Sequence, residues 1–287
     1  MKLHKARLFL GAALLALCVA GAATIAASPQ QNAPASSAPL PAAQADSGLP
    51  MPASEIIRKF AENESQFKIE RDNYTYSQSV LVEASTPDGR DGGRYQQDSD
   101  IIFTPDGKRY EKVTYAPTST LVAISLTPQD YKDLESVQPF VLTTAELPKY
   151  NVQYEGKEHI DTLDTYRFSV APKKIEKDQR YFQGIIWVDD HDFAIVKSDG
   201  KAVPDIVGKG GENRFPRFVT YRENIEGNFW FPTYTHADDT LQFSNGAVRI
   251  QMTVRYKNYK RFGSTVKIGP STEIKEPPAG TQPAPSR

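Results

Sequence analysis

Cysteine is almost absent from this chain of 287 residues, in which Cys18 is the only one. It lies in an N-terminal apolar segment that we expect to be removed, so the mature chain has no thiol. Disulfides, thiolate metal sites and cysteine nucleophiles are therefore excluded. A domain without disulfides has to be stabilised by its apolar core alone.

Acidic residues are also absent from the N-terminal region, which has the layout of a secretory signal peptide. Lys2, Lys5 and Arg7 form a basic start, an apolar stretch follows at 8–17, and small residues come next. We predict cleavage after Ala27, which places Ile25 and Ala27 at the two recognition positions and leaves Ser28 as the new terminus. The protein is therefore expected to be exported.

Two other interpretations of the same segment stay open. Residues 8–27 are long enough for an uncleaved membrane anchor, since a span needs about 20 apolar residues. Lipidation of Cys18 is the second alternative, although a lipoprotein signal has a small residue before its cysteine and this chain has Leu17. Export is expected under each interpretation.

Neither sign of charge dominates the mature chain. Removal of Lys2, Lys5 and Arg7 reduces the 34 basic residues to 31, against 35 acidic ones, and the two signs are interspersed. Binding to nucleic acid requires a basic stripe, so nucleic acid is excluded as a partner.

Familiar catalytic motifs are missing as well. The sequence contains no Gly-x-Ser-x-Gly elbow, no P-loop, no His-Glu-x-x-His and no dinucleotide fingerprint. A glycine-rich stretch at 208–211 lacks the strand-then-helix context of a phosphate site, so we interpret it as a flexible loop. We predict a protein that is not an enzyme and has no cofactor.

Three histidines remain after cleavage, and two of them lie next to acidic residues. The run 189–192, which contains His191, resembles a metal cluster but falls at a predicted hairpin tip, where Asp is favoured for turn geometry. His236 with Asp238 and Asp239 resembles a catalytic set, and it lies where a strand runs into a turn. We expect no metal site, and His159 is interpreted as solvated.

Composition divides the chain into four parts. After the signal peptide at 1–27 comes an Ala/Pro/Ser-rich linker at 28–52, which has too few large apolar residues to order itself. The folded domain is predicted at 53–268. A Pro-rich disordered tail occupies 269–287.

Helical periodicity opens the folded domain and returns once inside it. The first helix is predicted to start at Ser54 as N-cap, with Ile56, Ile57, Phe60, Ala61 and Phe67 facing inward, and with Arg58, Lys59, Glu62 and Glu64 facing solvent. A second helical pattern runs from Thr127, the predicted N-cap, to Leu147. Pro128 stands at its first position and Asp130 at its third, and Pro139 is expected to split it into two short helices.

Alternation of apolar and polar residues covers the rest of the domain and predicts about ten antiparallel strands. Hairpin turns are indicated at 105–107, 189–192, 226–228 and Asn245-Gly246, of which Asn-Gly is the strongest short signal. A sheet of that size curls or closes. The predicted fold is mainly β (α+β): a curled sheet or half-barrel with a helical lid.

A half-barrel of this kind encloses an apolar cavity, and aromatic or aliphatic strand residues on its inner face are the candidates for the lining. Most aromatic residues on the strands have to be core in any case. The candidates for the ligand cavity are Tyr74, Tyr76, Phe103, Tyr166, Phe168, Trp187, Val248, Ile250, Met252 and Val254.

Two stretches resemble a known superfamily. One is Gly184-Ile-Ile-Trp-Val-Asp-Asp-His-Asp-Phe-Ala-Ile-Val-Lys-Ser, and the other is Asp100-Ile-Ile-Phe-Thr-Pro-Asp-Gly-Lys-Arg-Tyr. With the order of elements, they resemble the LolA/LolB-like lipoprotein carriers, whose fold the MucB/RseB-type regulators share. The resemblance implies a periplasmic half-barrel that binds acyl chains under a helical lid. It also implies that Arg109, near the position of an arginine in the carriers, belongs to the cavity.

The expected function is therefore the binding of lipid or lipoprotein acyl chains, with a carrier role in lipoprotein sorting. The expected partners are a lipid or an acylated protein and, in addition, a membrane-anchored protein, and the chain is expected to be a monomer. Two alternatives stay open: an envelope sensor or protein-interaction module with the same fold, and an enzyme that uses His236, Asp238 and Asp239.

Overall fold

The computed structural model describes residues 49–104, 108–136, 139–177, 179–208, 211–227 and 229–261. The predicted signal peptide with Cys18, almost all of the linker, the C-terminal tail, the turn at 105–107 and the centre of the glycine-rich stretch lie outside the described residues. Within these ranges, no helix has both the length and the apolar character needed to cross a membrane.

Among the described residues, ten strands form one antiparallel sheet, and two helices cover one of its faces. Helix α1 spans Ala53–Arg71, helix α2 spans Pro128–Ser136, and a 3-10 helix lies at Leu147–Lys149. The twelve strands are β1 Tyr74–Ser85, β2 Asp91–Phe103, β3 Arg109–Tyr115, β4 Tyr150–Ile160, β5 Leu163–Pro172, β6 Tyr181–Asp189, β7 Ile195–Val203, β8 Ile206–Gly208, β9 Gly211–Asn213, β10 Phe218–Ile225, β11 Phe229–Phe243 and β12 Gly246–Arg261.

The strand order in the large sheet is β3-β2-β1-β12-β11-β10-β7-β6-β5-β4, and β8 pairs only with β9. Since β3 and β4 are its edges, the sheet is open, and the prediction of a mainly β, curled half-barrel is confirmed. The predicted hairpin at Asn245-Gly246 joins β11 to β12, with Phe243 opposite Gly246.

Alternation along the strands separates a dry inner face from a wetter outer face. In the β1–β12 pair, Val80 lies opposite Val254 and Val82 opposite Met252, and all four side chains are buried. Their neighbours Leu81 and Thr253 point to the other side of the sheet. We call the face covered by the helices the inner face.

Helix α1 packs on the inner face through the apolar stripe that the sequence predicts. Ile56 and Phe60 are fully buried, and the Phe60 ring lies 5.6 Å from that of Phe168 on β5. The predicted N-cap was wrong: Pro52 precedes the helix, and no side chain caps it. The chain thus enters α1 from a proline rather than through a capping serine.

The prediction that Glu64 faces solvent was also wrong, because its side chain is 1% exposed. Its Oε1 accepts a hydrogen bond from Arg222 Nη1 of β10 at 2.8 Å, and the Arg222 guanidinium also binds the carbonyl of Phe140. Burial raises the pKa of Glu64, while the Arg222 charge opposes that shift. One ion pair therefore joins α1, the sheet and the segment that follows α2.

Helix α2 begins as predicted. The Asp130 carboxylate accepts hydrogen bonds from the Thr127 backbone N–H at 2.6 Å and from its hydroxyl at 2.7 Å, and Thr127 Oγ1 accepts one from the Asp130 N–H at 3.3 Å. This is a reciprocal capping box. The second predicted helix does not form at Phe140, whose ring stacks on Phe182 at 4.2 Å and whose carbonyl is bound by Arg222.

Candidate functional site

A cavity of about 640 Å³ opens beside α2, and we call it cavity A. Strand residues Val82, Ile250 and Met252 form its floor, and Leu134 of α2 closes one side. Its other apolar lining residues are Val122, Ala123, Ile124, Leu126, Val207, Phe215, Pro216 and Phe243. Twelve of its twenty lining residues are apolar, the others being polar residues such as Glu212 and Arg214, and its volume is that of small-molecule sites.

The segment at 119–126 forms one wall of cavity A because two glycines let it approach β2. The Val122 N–H donates to the Gly92 carbonyl at 2.9 Å, and the Thr120 N–H donates to the Arg94 carbonyl at 2.9 Å. Gly93 has a φ of +88°, in the left-handed region, and a side chain there would overlap the Thr120 carbonyl. The glycine therefore fixes this wall.

Side-chain hydrogen bonds join the opposite wall of cavity A, which β9 forms, to the start of α2. Asn213 of β9 donates from Nδ2 to Thr127 Oγ1 at 2.8 Å and to Asp130 Oδ1 at 2.9 Å. Both Asn213 and Asp130 are 9% exposed. The β8–β9 hairpin and α2 are thereby joined at the edge of cavity A, and side-chain hydrogen bonds rather than apolar packing make the joint.

A buried ion pair lies behind this joint. Arg180 Nε and Asp133 Oδ2 are 3.6 Å apart, with side-chain exposures of 3% and 1%. Arg180 also donates to the backbone carbonyls of Ala202 and Asn213 at 3.3 and 3.2 Å. Burial raises the pKa of the Asp133 carboxyl to about 6, and the charge of Arg180 acts in the opposite direction.

A second cavity, of about 270 Å³, lies on the other side of Leu134, and we call it cavity B. Four side chains give it a more polar lining than cavity A: Arg71, Asp72, Arg109 and Glu135. Its remaining lining residues are Tyr76, Gln78, Phe103, Leu134, Pro139, Pro232, Tyr256 and Tyr259. Leu134 is the residue that the two cavities share.

Arg109 connects strand β3 to helix α2 at the rim of cavity B. Its Nη1 donates to Glu111 at 3.0 Å and to Glu135 at 2.9 Å, and its Nη2 donates to the amide oxygen of Gln78 at 3.4 Å. The pKa of Glu111 is lowered, since hydrogen bonds to its carboxylate, including the one from Arg109, outweigh its burial. Arg109 thus has anionic partners in the folded chain.

Apart from Trp187, the candidate lining residues from the sequence fall into four places. Ile250 and Met252 line cavity A, and Tyr76, Phe103 and Arg109 line cavity B. Val248 and Val254 are buried in the main core, as are Tyr166 and Phe168. Tyr74 packs in a separate cluster with Phe67 and Phe231.

Trp187 needs a correction, because it lies on the outer face. It is paired with Arg167 and Lys197 in register, while its neighbours Ile186 and Val188 are buried on the inner face. The Lys197 ammonium lies 4.3 Å from the Trp187 ring centroid, and Glu158 accepts the indole N–H at 3.0 Å. These polar neighbours bury the ring to 6% exposure without placing it in a cavity.

Sequence reasoning missed the loop residues of cavity A and the central role of Leu134. Ile124 and Leu126 precede the predicted N-cap of α2, and Phe215 follows the glycine-rich stretch. A short apolar run next to a cap or a loop was the available signal. It gives no register or face, so it could not assign these side chains to a cavity.

The two His-Asp sets form no catalytic arrangement among the described residues. Asp189, Asp190 and His191 offer ligand atoms within 4.8 Å of one another, but Asp189 Oδ2 already accepts the backbone N–H groups of His191 and Asp192 at 3.0 and 2.6 Å. This is turn geometry, as the sequence indicates.

His236 and Asp238 lie on the outer face, where His236 stacks on Tyr234 at 5.6 Å. The Asp238 carboxylate is bound by Arg249 at 2.5 Å. Asp239 points the other way and accepts the Arg217 N–H at 3.0 Å. The three side chains therefore do not converge on one point.

No family model matches the chain, and no curated protein matches it. Similar solved structures include a DUF1329 family protein from Desulfovibrio piger ATCC 29098, 14% identical over 72% of this chain and 92% of that one, with a TM-score of 0.37. A LolA superfamily protein from Nitrosomonas europaea is 17% identical over 76% of this chain and 97% of its own, with a TM-score of 0.32.

The complex of MucA and MucB from Pseudomonas aeruginosa is also similar, with 12% identity over 74% of this chain and 99% of that one and a TM-score of 0.21. These likenesses concern the fold, and the proposals below are built on the residues of this chain.

Proposed function

We propose that this protein binds acyl chains of lipids or acylated proteins in cavity A, outside the cytoplasm and without catalysis. The observation that carries the proposal is an apolar cavity of about 640 Å³ on the helix-covered face of the sheet. Each methylene moved from water into such a space contributes about 0.8 kcal/mol. An acyl chain is therefore held by burial alone.

The entrance of cavity A supports the same function. Val122 is 84% exposed and Val207 is 63% exposed, and both line the cavity. Large apolar side chains exposed around a concave site are typical of ligand-binding grooves. An apolar chain that enters between them stays in contact with apolar atoms from the surface to the floor at Met252.

A carrier role in lipoprotein sorting and a periplasmic location are further parts of the proposal. They are supported by the predicted signal peptide. A sensor or interaction module with the same fold is the alternative. A filled half-barrel would favour that alternative, whereas cavity A favours a ligand.

The test uses three exposed valines. Val122→Glu with Val207→Glu places two charges at the entrance of cavity A, and Val113→Glu is the matched control, because Val113 is 50% exposed on β3 and lines neither cavity. Binding of a fluorescent fatty-acyl probe is measured by titration. We expect the double variant to bind at least about tenfold more weakly, since an apolar chain that enters would take water away from each new carboxylate.

The control variant should bind the probe like the wild type. Absence of probe binding by the wild-type protein, or equal binding by all three proteins, would overturn acyl-chain binding in cavity A. Lipid extraction from protein purified from its own host then identifies the natural ligand.

A further inference from the structure

We propose that the guanidinium of Arg71, together with the ammonium of Lys68, binds an anionic group, a phosphate or a carboxylate, beside cavity B. Where that anion is the head of an amphiphile, the inference rests on the proposed function and assigns a chemical class to the head. Three observations carry it: the place of Arg71 between two cavities, its unused hydrogen-bond donors, and the pairing of the carboxylates around it.

A third cavity, of about 370 Å³, lies next to cavity B, and we call it cavity C. Arg71, Glu135 and Pro139 line both cavity B and cavity C. Leu134 lines both cavity A and cavity B. Cavity B therefore lies between the other two, and Arg71 stands where cavity B meets cavity C.

Arg71 has hydrogen-bond donors that no described residue uses. Four arginines line cavities A, B and C, and three of them, Arg109, Arg180 and Arg214, donate side-chain hydrogen bonds. Arg71 donates none within the described ranges, and its Nε lies 3.8 Å from Asp72 Oδ1, too far for a hydrogen bond. The Nε atom is buried, but the side chain as a whole is 23% exposed, so a ligand meets the Nη ends of the guanidinium.

Pairing among the other charged residues leaves positive charge at this place. Two carboxylates line cavity C, and each already has a cation of its own: Glu135 pairs with Arg109 at 2.9 Å and Glu146 with Lys149 at 3.0 Å. Lys68 lines cavity C one helical turn before the arginine, and it makes no ion pair with a residue that the structure describes. An anion that enters cavity C therefore finds two cations to bind.

The chemistry of a guanidinium determines the class of ligand. Its parallel N–H groups match two oxygens of a carboxylate or a phosphate, and a hydrogen bond between charged groups is about twice as strong as a neutral one. A cation in the last turn of α1 also stabilises the helix, but that effect does not require a cavity.

Cavity B connects the anion site to cavity A through an aromatic lining that includes Tyr76, Phe103 and Tyr259. An anionic amphiphile would therefore place its head at Arg71 and direct its chain along these rings toward cavity A. A free phosphate would occupy the same cations without using cavities A and B.

The first arm of the test compares three amphiphiles of one chain length: a fatty acid, a monoacylglycerol and an alkylammonium. Each competes with the fluorescent fatty-acyl probe for the full-length protein. We expect the fatty acid to bind about tenfold more tightly than the uncharged monoacylglycerol, the effect of one hydrogen bond to a charged group, and the alkylammonium to bind most weakly.

Lys68→Gln with Arg71→Gln removes both charges and should abolish the preference for the fatty acid. Arg94→Gln with Lys112→Gln is the matched control, because it also removes two charges, from exposed side chains on β2 and β3 that line none of the three cavities. The control should keep the preference. If the first double variant fails to fold, Arg71→Lys, which keeps the charge, is compared with Arg71→Gln and should retain most of the preference.

The second arm uses inorganic phosphate, which has no chain. Thermal stabilisation of wild type and variants by phosphate is measured against chloride at equal ionic strength. Stabilisation that the wild type and the control show, and that the Lys68 and Arg71 double variant lacks, identifies a free anion as the ligand of this site. A preference among the amphiphiles without such stabilisation identifies the head of a lipid.

Equal binding of fatty acid and monoacylglycerol by the wild type, together with no effect of phosphate, would overturn the anion site and leave acyl-chain binding in cavity A intact. A preference that persists in the Lys68 and Arg71 double variant, or that the control also loses, would overturn it as well. If neither the amphiphiles nor the probe bind, the proposed function itself fails, and the phosphate arm still decides on the anion site.

Discussion

The two helices cover the same face of the sheet in different ways. Helix α1 has 19 residues and buries Ile56, Phe60 and Phe67 against the strands. Helix α2 has nine residues, and Leu134 is its one apolar residue in the buried core among the side chains that the structure describes. Both described cavities that border the floor of β1 and β12 lie beside α2.

The difference shows how a half-barrel can be stable and still contain space. Apolar packing of Ile56 and Phe60 against the sheet holds α1 in place, whereas directional bonds from Asp130 and Asp133 fix α2. A hydrogen bond or ion pair sets the position of a helix without filling the space under it. The tightest apolar packing is therefore found at α1, and cavity A lies beside α2.

The largest expected effect comes from removing apolar packing between α1 and the sheet. Phe60→Ala removes a fully buried ring from α1 and should lower the free energy of unfolding by about 3–5 kcal/mol. Ile69→Ala on the same helix is the control, because Ile69 is 60% exposed and should cost about 0.5 kcal/mol or less. Chemical denaturation measures both, and equal costs would contradict the packing of α1.

The ion pair that joins α1 to the sheet should have the next largest effect. Arg222→Met leaves the buried Glu64 carboxyl without its cationic partner, which should cost about 3 kcal/mol of unfolding free energy. The double variant with Glu64→Met should recover most of that loss, since no charge then remains buried. A double variant less stable than Arg222→Met would argue against this interpretation of the pair.

A smaller loss is expected where α2 covers the cavities. Leu134→Ala should cost about 2 kcal/mol, the low end for a buried leucine, because cavities on two sides leave Leu134 with few packing partners. Leu142→Ala, at a fully buried position that lines neither cavity, should cost about 4 kcal/mol. A larger loss of unfolding free energy for Leu134→Ala than for Leu142→Ala would contradict the looser packing around Leu134.

The smallest expected effect is a dependence of the unfolding free energy on pH, caused by the buried Asp133 carboxyl of α2. Asp133 has a folded-state pKa of about 6 against an ordinary value of 3.8, so between pH 5 and 7 the folded protein binds more protons than the unfolded chain. Its contribution to stability is therefore present at pH 5 and falls by about 1.4 kcal/mol as the pH rises to 7.

Asp133→Asn removes this titration. The difference in unfolding free energy between wild type and variant should therefore change by about 1.4 kcal/mol between pH 5 and 7. The wild type should become less stable relative to the variant as the pH rises. A difference that is independent of pH would show that Asp133 does not titrate in this range.

Local patterns in the sequence predicted the sheet well. Alternation at Val248, Ile250, Met252 and Val254 identified the buried side of β12, and Asn245-Gly246 identified its hairpin. The capping box at Thr127 and Asp130 was also predicted. In each case the physical cause lies within a few residues of the feature, so a single sequence shows it.

Features that depend on distant partners could not be predicted in this way. Glu64 was placed on the solvent side of α1 because its buried partner, Arg222, is 158 residues away. Trp187 stands in an unbroken apolar run at 185–188, where alternation gives no face. The cavities themselves depend on Leu134 meeting β1 and β12, a contact that no local pattern encodes.

The pairing of β1 with β12 has a consequence for the time at which the domain is completed. Tyr74 lies opposite Arg261, so the first strand cannot find its neighbour until the last strand has been delivered. Contacts between such distant parts of a chain slow folding. Strand β12 also supplies Ile250 and Met252 to cavity A and Tyr256 to cavity B. A chain cut short before this strand therefore lacks part of the lining of both cavities. The proposed ligand site is completed in the same step as the sheet.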